Sequence, residues 1–285
     1  MDVQGNPFKH YESSYVNKGF EKVLMDKFDT DPIGYKILLK YFQEVMLQAD
    51  NFFLNADGSM LIKEWWNLFI HYWIFLAFIK ALARNGQKVI LLSFNYDLCI
   101  EQLLFFKGFN YGSITSSMYN IYKCLPNFGY DFTLLKLHGS FNFAICDKCN
   151  KIWCHNDYLW DKGDRWECRL CDNGGYNNLY IPPLLRKDLS LVKDAWDDAS
   201  YFLSKADEVI VMGYSLPFYD INAKELFHNI NKDANFYIID KYAHKIYPNY
   251  SFVTCQNRFH YPCPFNWFTT NLIGTSWNEH NFFSF

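Results

Sequence analysis

Two short polar stretches, each closing an apolar run, hold the side chains best suited to chemistry: Ser93-Phe94-Asn95-Tyr96-Asp97 and, about forty residues on, Leu137-His138-Gly139-Ser140. Residues that follow the carboxyl end of a buried strand line the crevice where open α/β sheets hold ligands. A neutral amide such as Asn95 can fix a water or a ribose hydroxyl without giving up a proton, and it is equally at home in a turn. The carboxylate of Asp97 can orient neighbouring groups, although capping the next helix is its leading role when taken alone. His138 can take a proton near neutral pH, and Gly139 lets the backbone come close to a ligand. A solitary strand-end histidine is usually structural; in company with Asn95, His138 reads as a general base.

Cys146-Asp147-Lys148-Cys149 and Cys168-Arg169-Leu170-Cys171 are two CxxC pairs separated by eighteen residues, the spacing of a four-thiolate zinc site. Four thiolates close the tetrahedron, so zinc there would staple a small lobe and perform no chemistry. Cys154 and His155 lie between the pairs as spare ligands. Unligated packing is the alternative, disfavoured because so short a segment builds little core unaided. Further on, an apolar run from residue 209 to 212 enters Gly213-Tyr214-Ser215-Leu216, a small-residue turn whose amides and hydroxyl could meet a phosphate or a ribose. Asp220 reads as the cap of the next helix. Asp240 ends another strand, where a carboxylate can hold the ribose hydroxyls of a dinucleotide or simply stand in a loop.

The elements that must position these groups follow from the apolar periodicity. Residues 1–86 read as a helical part, with Asp31-Pro32 as a helix start and apolar residues at three- and four-residue intervals over 33–49. The most apolar segment, 68–82, contains His71 and Lys80 and is too short to span a bilayer, so a buried helix is expected, closed by Arg84 and Gly86. Strands are expected at 88–94, 132–137, 179–181, 208–212 and 235–239, and helices at 98–106, 189–203 and 221–230. That alternation predicts an α/β fold, a Rossmann-like parallel sheet with helices on both faces. Residues 144–174, polar and holding Trp153, Trp160 and Trp166, lack a helical or strand period and are expected to form an inserted lobe within a single domain, 1–285. Beyond residue 247 the pattern offers only a strand near 252–254.

Composition narrows the partners. A formal charge of -3 and a pI near 6.2 give no electrostatic case for nucleic acid or an anionic membrane. Aromatic residues make up 20% of the chain, which suits a thick stacked core first and nucleotide platforms second. No cationic-then-apolar leader opens the sequence, so a cytoplasmic protein is expected. In that compartment nine cysteines point to metal before disulfides.

Taken in order over residues 88 to 240, Phe94-Asn95-Tyr96-Asp97, Leu137-His138-Gly139-Ser140, the CxxC pairs and Gly213-Tyr214-Ser215-Leu216 resemble the sirtuin family of NAD-consuming enzymes. Asn-Tyr-Asp without a preceding glutamine is closer to the divergent branch of bacterial antiphage proteins, whose domain typically hydrolyses NAD+, than to the protein deacylases. The resemblance implies NAD+ as substrate, a structural zinc on Cys146, Cys149, Cys168 and Cys171, and cleavage of the nicotinamide–ribose bond through an oxocarbenium-like state. It implies His138 as general base and Asn95 as the group that positions the nicotinamide ribose and the attacking water. Asp97 would support the nicotinamide pocket, Gly213, Ser215 and Asp240 the adenosine half, and Ser140 stands among the NAD+ contacts. Two family features are absent. No Gly-Ala-Gly phosphate loop occurs in residues 1–87, so a first strand upstream is expected, and Ile181-Pro182-Pro183-Leu184 stands where deacylases carry Phe-Gly-Glu. An NAD-dependent deacylase and a non-catalytic, zinc-stapled nucleotide-binding or interaction module remain the alternatives, and a homo-oligomer or a partner domain stays open.

Overall fold

The computed structural model describes residues 63–97, 100, 111–113, 132–146, 148–149, 152–154, 167–168, 171, 173–174, 176–180 and 189–274, with five positions between 27 and 34. The expected helices over 33–49 and 98–106 therefore lie outside the described residues, apart from isolated helical positions. Helix α1 (Lys63–Arg84) buries Phe75, Leu76, Phe78 and Ile79. It ends as its sequence suggests. Gly86 sits at φ +84°, its amide bonds the Ala83 carbonyl and that of Gln87 bonds Leu82, the paired closure that a left-handed glycine permits. No described helix is long and apolar enough to cross a membrane.

Strands β1 (Ile90–Ser93), β2 (Tyr111–Ser113) and β3 (Phe132–Lys136) form a parallel sheet in the order β1-β3-β2. The chain then enters the lobe, which is antiparallel. β4 (Gly139–Cys146) pairs with β5 (Ile152–Cys154) on one side, while β6 (Glu167–Cys168) pairs with β7 (Asn173–Gly174). β8 (Tyr176–Tyr180) returns along the other side of β4. The expectation of no strand period in 144–174 is thus corrected, and the strand expected at 179–181 is longer and begins earlier. These strands are too short and too polar for alternation to show.

The second half is regular: α2 (Lys193–Leu203), β9 (Glu208–Met212), α3 (Ile221–His228), β10 (Asn235–Asp240), α4 (Ala243–Ile246), β11 (Asn257–Pro262) and α5 (Phe265–Gly274). β9, β10 and β11 form a second parallel sheet in the order β11-β10-β9. The strand expected near 252–254 is not there. Val253 turns inward instead, its amide bonded to the Tyr250 carbonyl and its side chain buried. β11 begins five residues later than that expectation, with mostly exposed side chains. Such polar dress is common on an edge strand and hides it from a search for apolar runs.

Two apolar layers run across both sheets. On one face Leu135 and Leu137 of the first sheet, with Val209, Val211, Phe236 and Ile238 of the second, pack under α2 and α3 through Trp196, Ala199, Leu203, Leu226 and Phe227. On the other, Leu91, Ile210, Met212 and Ile239 pack under α1 and α5 through Phe75, Leu76, Ile79 and Phe268. Helices cover both faces of parallel strands, the doubly wound α/β arrangement.

The sheet is nevertheless split. β1 and β9 are the facing edges of the two halves, and each of their residues lines a cleft of about 1610 Å³. The Val89 and Ser93 carbonyls accept from Thr133 and Leu137, so by alternation the backbone of Ile90 and Leu92 turns to the cleft. On the other side Asp207 accepts from Asn235 and Gly213 donates to Ile239, which turns Glu208, Ile210 and Met212 to the cleft. β1 is only half-buried along its length, whereas Leu134, Leu135, Phe236 and Ile238 in the next strands outward are fully enclosed. The parallel, doubly covered sheet expected from the alternation is present, and among the described residues it takes the form of two three-stranded sheets with a gap between them.

Candidate functional site

The carboxyl ends of β1, β3, β9 and β10 meet at one end of the split sheet. After β1 the chain makes a small turn in which the Asn95 amide donates to Ser93 Oγ at 3.2 Å, and Asn95 is left exposed on the cleft wall. Tyr96 turns inward, and its carbonyl accepts from Ser140 Oγ at 3.3 Å. The next turn is held by a buried ammonium: Lys136 Nζ donates to the Asp97 carbonyl at 2.6 Å. A buried cation needs such a partner, so the loop after β1 is tied to the end of β3.

His138 follows β3 directly. Its residue is 1% exposed, and its ring lies between Tyr96 and Trp196, with centroids 6.1 and 6.0 Å away, while Phe94 meets it edge-on at 5.3 Å. The indole N–H of Trp196 donates to the Leu137 carbonyl at 2.7 Å, fixing the peptide that leads into the histidine. Gly139 stands at φ +81°, a conformation costly for a residue with a Cβ, and this turn swings the chain from β3 into β4. His138 Nε2 lies 3.6 Å from Asp220 Oδ2.

After β9 the turn contains Gly213 at φ +65° and Leu216 at φ +50°. Tyr214 stacks flat on Phe94, 4.2 Å between centroids and 3° between planes, and its hydroxyl donates to Asp220 Oδ2 at 2.7 Å. Asp220 caps α3 as expected, Oδ1 accepting from the Ala223 amide at 3.1 Å. The Tyr250 hydroxyl donates to the Tyr214 carbonyl at 2.6 Å. Burial, reinforced by the Asp220 charge, pushes the Tyr214 phenol far above the usual tyrosine range, and burial with Asp240 does the same to Tyr250. Both stay neutral donors at any pH the fold meets. At the end of β10, Asp240 Oδ1 accepts from the Tyr242 amide at 2.6 Å.

The expected residues fall into two groups. Asn95, Gly213 and Asp240 line the cleft with Tyr214 and Lys241. His138 and Ser140 lie behind that wall, both buried. Asp97 is half-buried and Ser215 exposed, its carbonyl accepting from Asn249 Nδ2 at 2.7 Å, and neither belongs to the cleft lining. Sequence reasoning missed Trp196, Tyr214 and the second contact of Asp220. Nothing in the chain marks a helix cap that also faces a histidine 82 residues earlier.

In the lobe, the sulfurs of Cys146, Cys149 and Cys171 lie within 4.8 Å of one another, with Cys146 and Cys171 3.5 Å apart. That is too far for a disulfide, whose sulfurs stand about 2.05 Å apart. It is close to the ~3.8 Å between thiolates that each sit about 2.3 Å from a tetrahedral zinc. The three thiols fit zinc. Cys168 stands in β6 near Cys171, and its side chain, like that of Cys154 and the whole of His155, lies outside the described residues.

No family model matches the chain, and no curated protein does. Among solved structures it is similar to a Sir2 in complex with the inhibitor EX-527, 2′-O-acetyl-ADP-ribose and a deacetylated p53 peptide, at 14% identity, 72% of this chain, 70% of that one and a TM-score of 0.43. It is also similar to a Sir2 with a p53 peptide and NAD+ at 15% identity, over 72% of this chain and 68% of that one, with a TM-score of 0.43. A mutant Sir2 homologue in complex with 2′-O-acetyl ADP-ribose matches at 15% identity, 90% and 78% coverage and a TM-score of 0.48.

Proposed function

We propose that this chain is a sirtuin-like enzyme that hydrolyses NAD+ to nicotinamide and ADP-ribose, with antiphage defence as its setting. The observation that carries the reading is the convergence, at the split of a doubly wound sheet, of Asn95, Gly213, Tyr214 and Asp240 around one cleft, with His138 one aromatic ring behind Phe94. The nicotinamide–ribose bond breaks with both electrons leaving on neutral nicotinamide, and water captures the cationic ribose carbon. Asn95 holds the ribose and that water; the proton released passes to His138 and then to solvent. Phe94, stacked on Tyr214, must swing aside for His138 to reach the ribose. Asp240, Gly213 and Lys241 supply a carboxylate, an amide turn and a cation to the adenosine half.

The gap between β1 and β9 has room and hydrogen-bonding edges for one further parallel strand, supplied from outside the described residues, whose carboxyl end would reach the same cleft and supply the phosphate loop. Zinc on Cys146, Cys149, Cys168 and Cys171 would stabilise the lobe and take no part in the reaction.

The burial of His138 favours one other reading, a nucleotide-binding module without turnover. The test is nicotinamide release from NAD+ with and without an acyl-lysine peptide. Release without peptide, lost in Asn95→Ala and in His138→Ala, is the expected result. Peptide-dependent release would make the chain a deacylase, and NAD+ binding without release would support the module.

A further inference from the structure

His138 and Asp220 come from different halves of the split sheet, one from the end of β3 and the other from the cap of α3. An aspartate that only caps a helix gives one oxygen to the backbone and leaves the other to water. Here the side chain is 0% exposed. Oδ1 accepts from Ala223, and Oδ2 accepts the Tyr214 hydroxyl at 2.7 Å while facing His138 Nε2 at 3.6 Å. Both partners are held. Tyr214 is stacked on Phe94 and bonded through its carbonyl to Tyr250, and the imidazole lies between Tyr96 and Trp196.

We infer that Asp220 is a positioning residue for His138: its carboxylate keeps the ring proton on Nε2 and thereby makes Nδ1 the basic nitrogen. A carboxylate facing one imidazole nitrogen stabilises a proton there, and in a neutral ring the other nitrogen is then the acceptor. The aromatic groups packed on the ring are neutral: the Tyr96 phenol from the loop after β1, the Trp196 indole from α2, and Phe94. On β3 itself Lys136 directs its ammonium to the Asp97 carbonyl. The use of Nδ1 in NAD+ cleavage rests on the reading above; the tautomer does not.

The test is nitrogen-15 NMR of the histidine side chains in the whole chain at neutral pH, with His138 assigned by its loss in His138→Gln. The expected result is an Nε2-protonated ring in the wild type. In Asp220→Asn, whose amide oxygen can keep the cap on Ala223 while its NH2 faces the ring, the ratio should move to the Nδ1-protonated form. An Nδ1-protonated wild type, or an Asp220→Asn spectrum with the wild-type ratio, overturns the inference. Should Asp220→Asn fail to fold, the wild-type tautomer decides. A wild type that releases no nicotinamide while showing the expected tautomer would sink the hydrolase reading and leave the pair standing; with release, Asp220→Asn should lower kcat while leaving KM for NAD+ unchanged.

Discussion

Replacing Trp196 by Phe keeps an aromatic ring beside His138 and Phe94 and removes one N–H, so it isolates the bond that holds the peptide before the histidine. Trp196 is 8% exposed and Leu137, whose carbonyl accepts the indole proton, is 0% exposed. A buried carbonyl that loses its donor costs about 1–3 kcal/mol, and the smaller ring gives up about 1 kcal/mol of buried apolar surface and packing. The expected loss is about 2–4 kcal/mol, which for a chain of this size lowers Tm by roughly 3–7 °C. Urea unfolding followed by far-ultraviolet circular dichroism measures it: the midpoint should fall with the slope unchanged, because the same surface is exposed on unfolding. A loss under about 0.5 kcal/mol, the range of an ordinary surface change, would refute the reasoning and show that the Leu137 carbonyl is satisfied without Trp196.

Three further outcomes are expected. Unfolded tyrosine ionises near pH 10, whereas burial keeps the Tyr214 and Tyr250 phenols protonated well above that. Their contribution is therefore complete below pH 10, and stability falls above it by about 1.4 kcal/mol per pH unit for each phenol; urea midpoints between pH 9 and 11.5 should show the slope, and Tyr214→Phe should reduce it by one phenol's share or the burial argument fails. Hydrogen exchange should find the amides of Ile90, Leu92, Ile210 and Met212, which turn to the cleft, exchanging at least about a hundredfold faster than those of Leu91, Val209 and Val211; equal protection would mean that the edges of β1 and β9 are already occupied, by each other or by a strand between them. Metal analysis should find about one zinc per chain, lost with lobe stability in Cys171→Ser, and a metal-free chain with an intact lobe would contradict the zinc reading.

Legibility in the sequence followed burial. β9 and β10 are apolar runs in a regular strand–helix alternation, and their expected ranges, 208–212 and 235–239, match Glu208–Met212 and Asn235–Asp240 to within a residue. β11 and the lobe strands before β8 escaped because edge and hairpin strands gain their order from partners, here β10 and, for β5, β4, and need little apolar surface of their own. At the site, Asn95, Gly213 and Asp240 could be placed on the cleft because each stands at or just past the carboxyl end of a strand. The environment of His138 could not. Its neighbours Trp196 and Asp220 lie 58 and 82 residues downstream on helices whose patterns show only an inward face and a cap.

The split explains why those long-range contacts matter. Strands β1 and β9 share no ladder, so the halves are joined at the carboxyl end by side chains: Trp196 to Leu137, Phe94 to Tyr214, and His138 to Asp220. Each of these joins reaches His138 or a group touching it. A strand entering between β1 and β9 would therefore not only pair two open edges. By fixing the separation of the halves it would also set the His138–Asp220 distance and the Phe94–Tyr214 stack that stands between the histidine and the cleft. With His138 as the proposed base, completing the sheet and readying the base would be one event, because the separation of the halves would govern both.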